Sequence, residues 1–451
     1  MTLTRIGPTL AAVLFLGTAV LQAQSRPNTD TPIIFVHGNG DDASKWIGVI
    51  WLFESSGYPA DKLFAVRFPH PSSRTDDTRD EPNRSSTTDE AAELSAFVTR
   101  VLIQTHAHKV ALVGSSRGGL TIRNYLLHGG SANVAYAILS GTPNHGVQAT
   151  DKSLNGEFNG KGNFLTALNS SSYDGSEVIP GVKMMTLRSD KLDKYAQPTG
   201  IAFGTPQTAT NVTFEGPALR GASNLVLPNL DHRELAFHPT AFAEMYKFIS
   251  GTSPQQMSVT PEDNPVISGL ITGFDNGAFT NLPMSRAHLS IYLIDTSKGI
   301  ESSTPVYEIT TKEDGKWGPF QTTPNQEYDF DVEYQGRHVR FYKAPLPRST
   351  TLLNLRFIPV PHADESSSPV HTNQILIARP QGYFSRDRDP VQIDGKLSTD
   401  EPGGLPIRDS FVASVPTTPD RLTEVTLRSE TVWARSSEDF SKDLPIVDFM
   451  W

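Results

Sequence analysis

The sequence of 451 residues contains no cysteine. This absence excludes disulfides, thiolate zinc sites, iron–sulfur clusters and cysteine nucleophiles. Positive charge is in deficit, since 39 Lys and Arg residues stand against 49 Asp and Glu residues, a formal net charge of −10. That deficit argues against an electrostatic nucleic-acid binder, so no nucleic-acid partner is expected. Hydrophobic residues make up only 37% of the chain, which excludes a polytopic membrane protein.

The N-terminal residues have the pattern of a targeting segment. Arg5 supplies a short basic start, residues 10–21 (LAAVLFLGTAVL) form an apolar core too short to span a bilayer stably, and Ala23 is a small residue at the cleavage point. We therefore expect residues 1–23 to be a signal peptide and the mature protein to be secreted or periplasmic, with no transmembrane segment once the signal is removed. A buried helix or an uncleaved anchor is the alternative.

The rest of the chain changes its pattern once. Its length predicts two to three domains at roughly 150 residues each, and 34 Gly and 33 Pro residues predict many turns. Up to residue 253, short apolar runs alternate with longer helical patterns. The expected strands are residues 32–37 (PIIFVH), 109–113 (KVALV), 134–139 (VAYAIL) and 182–187 (VKMMTL), and the expected helices are 88–104 and 118–127. This alternation predicts an α/β fold, with a mostly parallel sheet and flanking helices, over residues 24–253.

After residue 253 the pattern is all-β. Residues 328–334 (YDFDVEY) alternate strictly, with four apolar or aromatic side chains facing one way and three carboxylates the other. Residues 359–369 (PVPHADESSSP) have the composition of a linker or long loop. We therefore expect a β-sandwich module over residues 260–358 and a second all-β module or extension over residues 359–451.

A candidate nucleophile follows one of the predicted strands. Residues 114–119 (GSSRGG) come directly after the apolar run and fit the pattern G-x-S-x-G, with Ser116 at its centre. The glycines are needed because backbone approaches closely, from both sides, a serine held on a sharp turn between a strand and a helix. The alternative is an ordinary glycine-rich turn.

A serine hydroxyl is a poor nucleophile near neutral pH, so it requires a histidine base and an acid that orients the base. In G-x-S-x-G enzymes the acid and then the histidine follow the serine along the chain. Two carboxylates, Asp190 and Asp193, come just after the strand at residues 182–187. His232 lies on a loop before the last predicted helix, and His238 is its near rival.

The oxyanion that forms when the serine attacks requires two backbone N–H donors. One is expected from Arg117, the residue after the candidate nucleophile. The other is expected from the loop after the first strand, residues 37–40 (HGNG), with Asn39 as the donor. A tight turn without a ligand is the alternative interpretation of this loop.

Four segments together resemble the secreted lipase/esterase branch of the α/β-hydrolase fold, over residues 31–250. They are residues 32–40 (PIIFVHGNG), 110–119 (VALVGSSRGG), 137–146 (AILSGTPNHG) and 189–198 (SDKLDKYAQP). The acid of this family often has the context D-x-x-x-Q-P, which implies Asp193 rather than Asp190, and the resemblance implies His232 as the base. Ser115 departs from the family, since many lipases carry histidine there.

The all-β half is similar to small transthyretin-like, or prealbumin-like, β-sandwich modules over residues 265–342. Some lipases of this branch carry such an extension, and the resemblance implies that it handles lipid or covers the active site. Six aromatic residues are candidate contacts to an acyl chain or polymer, with packing inside the sandwich as the more common alternative. They are Trp317, Phe320, Phe341, Trp433, Phe449 and Trp451.

The expected function is a secreted serine ester hydrolase that needs no cofactor or metal and acts on ester or lipid substrates. Two segments can supply pocket walls or a lid, residues 70–89 and residues 144–180, the second with apolar points at Phe158, Phe164, Leu165 and Leu168. Neither has a strongly amphipathic helix, which favours esters of short to medium acyl chains. One alternative is a polyester or polymer depolymerase that binds its surface through the β region. Another is a non-catalytic binding protein with a decayed hydrolase domain.

Overall fold

The computed structural model describes residues 27–170, 175–360, 373–415 and 421–450. The predicted signal peptide, residues 1–23, and Trp451 lie outside these ranges. Within them, no helix combines the length and the apolar character that a membrane span requires.

A six-stranded parallel sheet forms the centre of the first region. Its strands are β1 (Ile33–Val36), β2 (Leu63–Ala65), β3 (Val110–Ser115), β4 (Val134–Ser140), β5 (Lys183–Ser189) and β6 (Ser223–Leu227). They lie in the order β6-β5-β4-β3-β1-β2, and every neighbouring pair is parallel. The α/β prediction is confirmed, because β1, β3 and β4 are buried runs of the kind that a sheet covered on both faces requires.

Helices cover both faces of this sheet. They are α1 (Ile47–Ser55), α2 (Thr87–Thr105), α3 (Arg117–Leu127), α4 (Asn163–Ser170), α5 (Glu234–Phe237) and α6 (Pro239–Ser250). Single 3-10 turns lie at Ala43–Trp46, Ala60–Lys62, Gly130–Asn133 and Ile201–Phe203, and short strand pairs join Ser72–Ser73 to Arg84–Ser85 and Thr199–Gly200 to Thr205–Ala209. The start of α2 is fixed by a capping box, in which Ser86 and Asp89 each accept a hydrogen bond from the other's backbone N–H.

The second region consists of β-strands. They are β7 (Val266–Asp275), β8 (Ala278–Pro283), β9 (His288–Asp295), β10 (Ile300–Glu301), β11 (Tyr307–Thr310), β12 (Lys316–Gln321), β13 (Glu327–Tyr334), β14 (Arg337–Lys343), β15 (Leu355–Arg356), β16 (Asn373–Ala378), β17 (Val391–Ile393), β18 (Lys396–Leu397), β19 (Ser410–Val415), β20 (Thr423–Leu427), β21 (Glu430–Ala434) and β22 (Asp443–Asp448). The largest sheet has the order β10-β9-β13-β14-β22-β16-β19, with β11 paired to β9. Two smaller sheets have the orders β8-β7-β12, with β15 paired to β7, and β18-β17-β20-β21.

The largest sheet joins the two parts into which the sequence divides this region. Strand β22 pairs in parallel with β14 on one side and with β16 on the other. Strands on both sides of residue 359 therefore share one hydrogen-bonded sheet.

The strict alternation of apolar and acidic residues in strand β13 has a structural reason. Tyr328, Phe330 and Val332 are buried in the sandwich core, as the pattern predicts. The intervening Asp329 and Asp331 are buried as well, because Arg340 of the neighbouring strand forms ion pairs with both. Both faces of the strand are therefore covered, one by apolar side chains and the other by an ion-pair network.

The candidate aromatic contacts of the β region are mostly internal. Trp317, Phe320, Phe341 and Phe449 are each at most 8% exposed and belong to apolar clusters. Trp433 is half-buried against the apolar cluster that contains Phe449. The observed burial favours sandwich packing for these residues.

Helix α1 connects the two regions through its side chains. It is apolar along its length, with Val49, Leu52 and Phe53 in the core of the α/β region. Ile47 and Trp51 instead belong to the core cluster of the β-sandwich. The indole Nε1 of Trp51 also donates a hydrogen bond to the Ser349 carbonyl at 2.9 Å. The two regions thus share a hydrophobic interior.

Candidate active site

Ser116 lies at the junction of β3 and α3. Its backbone has φ 52° and ψ −118°, a conformation that residues with a side chain rarely adopt. A Cβ atom at Gly118 would lie 2.6 Å from the His37 carbonyl oxygen, and one at Gly114 would lie 2.7 Å from the Gly119 nitrogen. Both glycines of the motif are therefore required by close backbone packing around the serine.

His232 and Asp193 are brought together from separate loops. His232 Nδ1 lies 2.9 Å from Asp193 Oδ2, and the ring is only 4% exposed. His232 Nε2 is buried and has no hydrogen-bond partner among the described residues. The same cavity is lined by Ser116 and His232. The imidazole is thus oriented by a carboxylate on one side and has a free nitrogen on the other.

The loop that carries Asp193 is fixed by the residues of the D-x-x-x-Q-P segment. Asp193 Oδ1 accepts a hydrogen bond from the Tyr195 backbone N–H at 2.8 Å. Gln197 Nε2 donates to the Asp193 carbonyl at 2.7 Å. These bonds explain why the segment needs a glutamine four residues after the acid.

The rival residues lie elsewhere. Asp190 accepts hydrogen bonds from the backbone N–H groups of Lys191 and Asn229, and although burial raises the pKa of Asp190, these bonds leave it below its ordinary value. His238 Nδ1 accepts a hydrogen bond from the Thr240 N–H and so caps α6. The Asp193–His232 contact therefore separates the sequence alternatives by geometry.

Gly141 belongs to the segment that resembles the lipase Gly-Thr-Pro motif, and it allows the histidine loop to approach β4. It has φ +58°, and a Cβ atom here would lie 2.8 Å from the His232 carbonyl oxygen and 3.3 Å from its Nδ1. A side chain at this position would displace the imidazole.

The candidate oxyanion loop lies directly against the nucleophile. A Cβ atom at Gly38 would lie 3.3 Å from Ser116 Cβ, and Asn39 lines the same cavity as Ser116. Asn39 Oδ1 accepts a hydrogen bond from the Ser73 N–H at 2.7 Å, which fixes the loop. The N–H of Arg117 belongs to the first residue of α3, where a helix leaves its N–H groups without intrahelical partners.

His37 stabilises this loop as a neutral residue. Burial lowers the pKa of His37, and its Nε2 accepts a hydrogen bond from the Phe68 N–H at 3.2 Å. The proton therefore resides on Nδ1, which lies 3.0 Å from the Gly38 carbonyl and donates to it.

The Arg117 side chain holds the turn after Ser116 in place through buried ion pairs. Its guanidinium is 1% exposed and donates to both carboxylate oxygens of Glu157, at 2.8 and 2.7 Å, and to Glu90 at 2.5 Å. Burial raises the pKa of Glu90 to about 7 despite this neighbour. The residue after the nucleophile is thus held by its side chain while its N–H stays available.

The cavity above Ser116 is small and is lined by both polar and apolar residues. Its volume is about 180 Å³. The apolar and aromatic walls are Pro143, Val147, Phe158, Tyr195, Phe203 and Tyr383. Tyr195 packs edge-on against the His232 ring, with centroids 4.7 Å apart. A larger cavity of about 330 Å³ lies on the other side of Tyr195 and Asp193.

Two predicted wall segments contribute less than expected. Of residues 144–180, Val147 and Phe158 line the cavity, whereas Leu165 and Leu168 pack instead against Leu120 in a separate cluster. No residue of 70–89 lines it. Leu165 and Leu168 are thus buried in the protein interior and do not form a lid over the cavity.

Sequence reasoning missed four residues of the cavity: Asp41, Phe203, Arg233 and Tyr383. Phe203 lies ten residues after the acid, on a hairpin without a clear pattern. Tyr383 belongs to the β region, and no sequence signal connects it to a serine far upstream. Its ring lies 4.0 Å from Lys194 Nζ, and burial lowers the pKa of Lys194 to about 8.

The β region also holds the oxyanion loop. Arg356 Nη1 donates to the Gly40 carbonyl at 2.7 Å, and Asn281 Nδ2 donates to the Asp41 carbonyl at 3.0 Å. The candidate site is therefore built from both regions of the chain.

Family comparisons agree with this architecture. Residues 30–172 match the family model Lipase (class 2), and residues 265–359 match the model Lipase C-terminal domain. The parallel sheet of the first region, with its flanking helices, thus resembles an α/β-hydrolase, and the two matched segments are similar to lipase families. The second match covers the segment that resembles transthyretin-like modules.

Solved structures of hydrolases are similar at low identity. Lipase B from Aspergillus fumigatus has 16% identity and a TM-score of 0.36 over 51% of this chain and 55% of that one, so this chain spans about half of its length. Lipase BlEst2 from Bacillus licheniformis, in its propeptide form, has 14% identity and a TM-score of 0.37 over 91% and 94% of the two chains. Phospholipase PlaB from Legionella pneumophila has 16% identity and a TM-score of 0.33 over 76% and 97%. The similarity to lipases rests on the two family models.

Proposed function

We propose that the protein is a secreted serine esterase or lipase that hydrolyses carboxylic esters of short to medium acyl chains through a Ser116–His232–Asp193 triad. The observation that carries the proposal is the 2.9 Å contact between His232 and Asp193, with the free Nε2 of His232 in the cavity that Ser116 lines. Secretion is supported by the pattern of residues 1–23.

In the first half-reaction, His232 Nε2 accepts the proton of the Ser116 hydroxyl while the oxygen bonds to the ester carbonyl carbon. Asp193 holds the proton on Nδ1 and stabilises the imidazolium. The N–H groups of Asn39 and Arg117 bind the oxyanion of the tetrahedral intermediate. Collapse of the intermediate breaks the ester C–O bond, and His232 returns the proton to the leaving alcohol.

In the second half-reaction, His232 removes a proton from water, whose oxygen attacks the acyl-enzyme carbonyl. The second intermediate collapses to the free carboxylic acid, and the proton returns to Ser116. Every proton is thus moved by a residue of this chain.

The size of the cavity supports a preference for short to medium acyl chains. A volume of about 180 Å³ with walls at Phe158, Phe203 and Tyr383 leaves little room for a long chain. The polymer depolymerase uses the same triad on a different substrate, so an insoluble polyester belongs in the same assay.

The test is ester hydrolysis by the mature chain from Gln24 on p-nitrophenyl esters from acetate to palmitate. Ser116→Ala should lose kcat by about 10⁴-fold or more, and Asp193→Asn by about 10²- to 10⁴-fold. Asp190→Asn is the matched control and should retain wild-type kcat. Full activity in Ser116→Ala, or equal losses in the two Asp variants, would contradict the proposal.

A further inference from the structure

Two carboxylates flank His232 on its own loop. Asp231 is fully buried and Glu234 is 2% exposed. Asp231 Oδ1 accepts hydrogen bonds from the backbone N–H groups of Arg233 and Glu234, at 2.9 and 3.0 Å, and Glu234 Oε2 accepts from the Asp231 N–H at 2.9 Å. The histidine is thus enclosed in a tight turn that contains two buried carboxyl groups.

The cations that face Glu234 come from the β region. Arg379 Nη2 lies 2.5 Å from its carboxylate, Arg388 Nη1 lies 2.8 Å away, and Arg428 Nη2 lies 2.9 Å away. Arg379 is itself only 1% exposed. Burial alone would raise the pKa of Glu234, but Arg379 and Arg388 lower it to about 2, so the contact stays ionic at neutral pH.

Asp231 is held by the same segment. Arg388 Nη2 lies 3.2 Å from its Oδ2, and the backbone N–H of Tyr383 donates to that oxygen at 2.8 Å. Arg388 therefore bridges both carboxylates, one on each side of His232.

We propose that Arg379 and Arg388 are positioning residues for His232, acting through Asp231 and Glu234 so that the β region completes the active site from outside the α/β fold. The inference rests on the proposed role of His232 as the base. Its physical reason is that imidazole must be held within a fraction of an ångström for proton transfer, and the α/β fold alone leaves two buried carboxylates in this turn without cations.

The sequence alone, in contrast, places His232 only on a loop before the last predicted helix. A loop fixed by several charge-assisted hydrogen bonds has less freedom, because each bond constrains direction as well as distance. The consequence is specific: loss of an arginine should reduce kcat more than it changes KM, because substrate contacts remain while the base is displaced.

The experiment compares Arg388→Gln with Arg340→Gln in the full mature chain. The two arginines are closely matched, since their side chains are 18% and 16% exposed and they form ion pairs with three and four carboxylates, respectively. Arg340 lies in the β-sandwich and has no contact with the histidine loop. The readouts are kcat and KM on p-nitrophenyl butyrate, measured below the thermal midpoint of both variants, and labelling of Ser116 by a fluorophosphonate.

We expect Arg388→Gln to lose at least 10-fold in kcat with less than a 3-fold change in KM, while Arg340→Gln retains wild-type kcat. Arg428→Gln, at a more exposed position, should lose about 2- to 5-fold and serves if Arg388→Gln does not fold. Equal kcat values in wild type and the tested arginine variant, or an equal loss in Arg340→Gln, overturns the inference alone. A wild type that neither hydrolyses the ester nor is labelled at Ser116 overturns the proposed function and this inference with it.

Discussion

Two buried glutamates of this protein have pKa values shifted in opposite directions. Glu234 faces arginines and has its pKa lowered to about 2. Glu327, on β13, is 6% exposed and faces no cation that opposes its burial, so desolvation raises its pKa to about 7, and the nearby Glu430 adds to the rise. The backbone N–H of Trp433, 3.1 Å from Glu327 Oε2, offsets only part of this. The presence of a cation decides whether a buried carboxylate is ionised near neutral pH.

Glu327 should therefore make stability depend on pH in the direction opposite to a salt-bridged carboxylate. Its raised pKa contributes stability that is fully present below the unfolded value of about 4.5 and lost as pH rises through about 7. Glu327→Gln should leave stability unchanged at pH 4 and increase it by about 1–3 kcal/mol at pH 8. Thermal midpoints from pH 4 to 8 measure this. Glu313→Gln, which removes a solvated carboxylate, is the control, and a pH-independent effect of Glu327→Gln would refute the assignment.

The short hairpin after Asp193 forms part of the cavity wall. Residues Thr199–Gly200 pair with Thr205–Ala209, and the 3-10 turn between them places Phe203 in the cavity wall. Phe203 remains 45% exposed and packs against Tyr195, whose ring in turn contacts His232. The hairpin thus extends an apolar surface from the imidazole to solvent, where an acyl chain would leave the cavity.

Phe203→Ala should reduce kcat/KM for octanoate esters by about 5- to 30-fold, since removing the ring costs about 1–2 kcal/mol of apolar contact. Acetate esters, which do not reach the ring, should change by less than 2-fold. Phe274→Ala is the matched control, because Phe274 is 38% exposed on β7 and lies outside the cavity. An equal loss on acetate and octanoate would assign Phe203 a structural role instead.

Local sequence patterns predicted most strands of the central sheet. Strands such as β3 are buried on both faces and so read as continuous apolar runs, and the glycines around Ser116 mark a turn that only glycine permits. The order of acid and histidine along the chain pointed to His232 and to an acid at Asp190 or Asp193. The choice of Asp193 over Asp190 needed a family resemblance. The cavity walls could not be predicted, because Phe203 and Tyr383 reach the site only through tertiary packing.

At the level of the whole molecule, the boundary between the regions is a hydrophobic interior crossed by ionic contacts. Trp51 of α1 lies inside the β-sandwich cluster, and Arg356 of β15 holds the oxyanion loop. Neither region can be removed without exposing apolar surface or leaving buried polar groups unpaired. The β region is therefore an integral part of the folded structure.

The full mature chain should unfold in one cooperative thermal transition, because a shared core couples the two regions. Differential scanning calorimetry should give a calorimetric enthalpy close to the van't Hoff enthalpy. Trp51→Ala should lower the midpoint of that single transition, since it opens a cavity worth about 3–5 kcal/mol in the shared core. Two resolved transitions in the wild type, with only one shifted by the substitution, would contradict the coupling.

The shared helix also sets a time limit on biosynthesis. Strand β7, the first element of the sandwich, begins 215 residues after Trp51. At a translation rate of about 5–20 residues per second, the ribosome needs roughly 10 to 45 s to make that stretch. During this interval the indole of Trp51 lacks the β-region residues against which it packs in the folded protein. The first half of the chain therefore cannot complete its packing until the second half has been made.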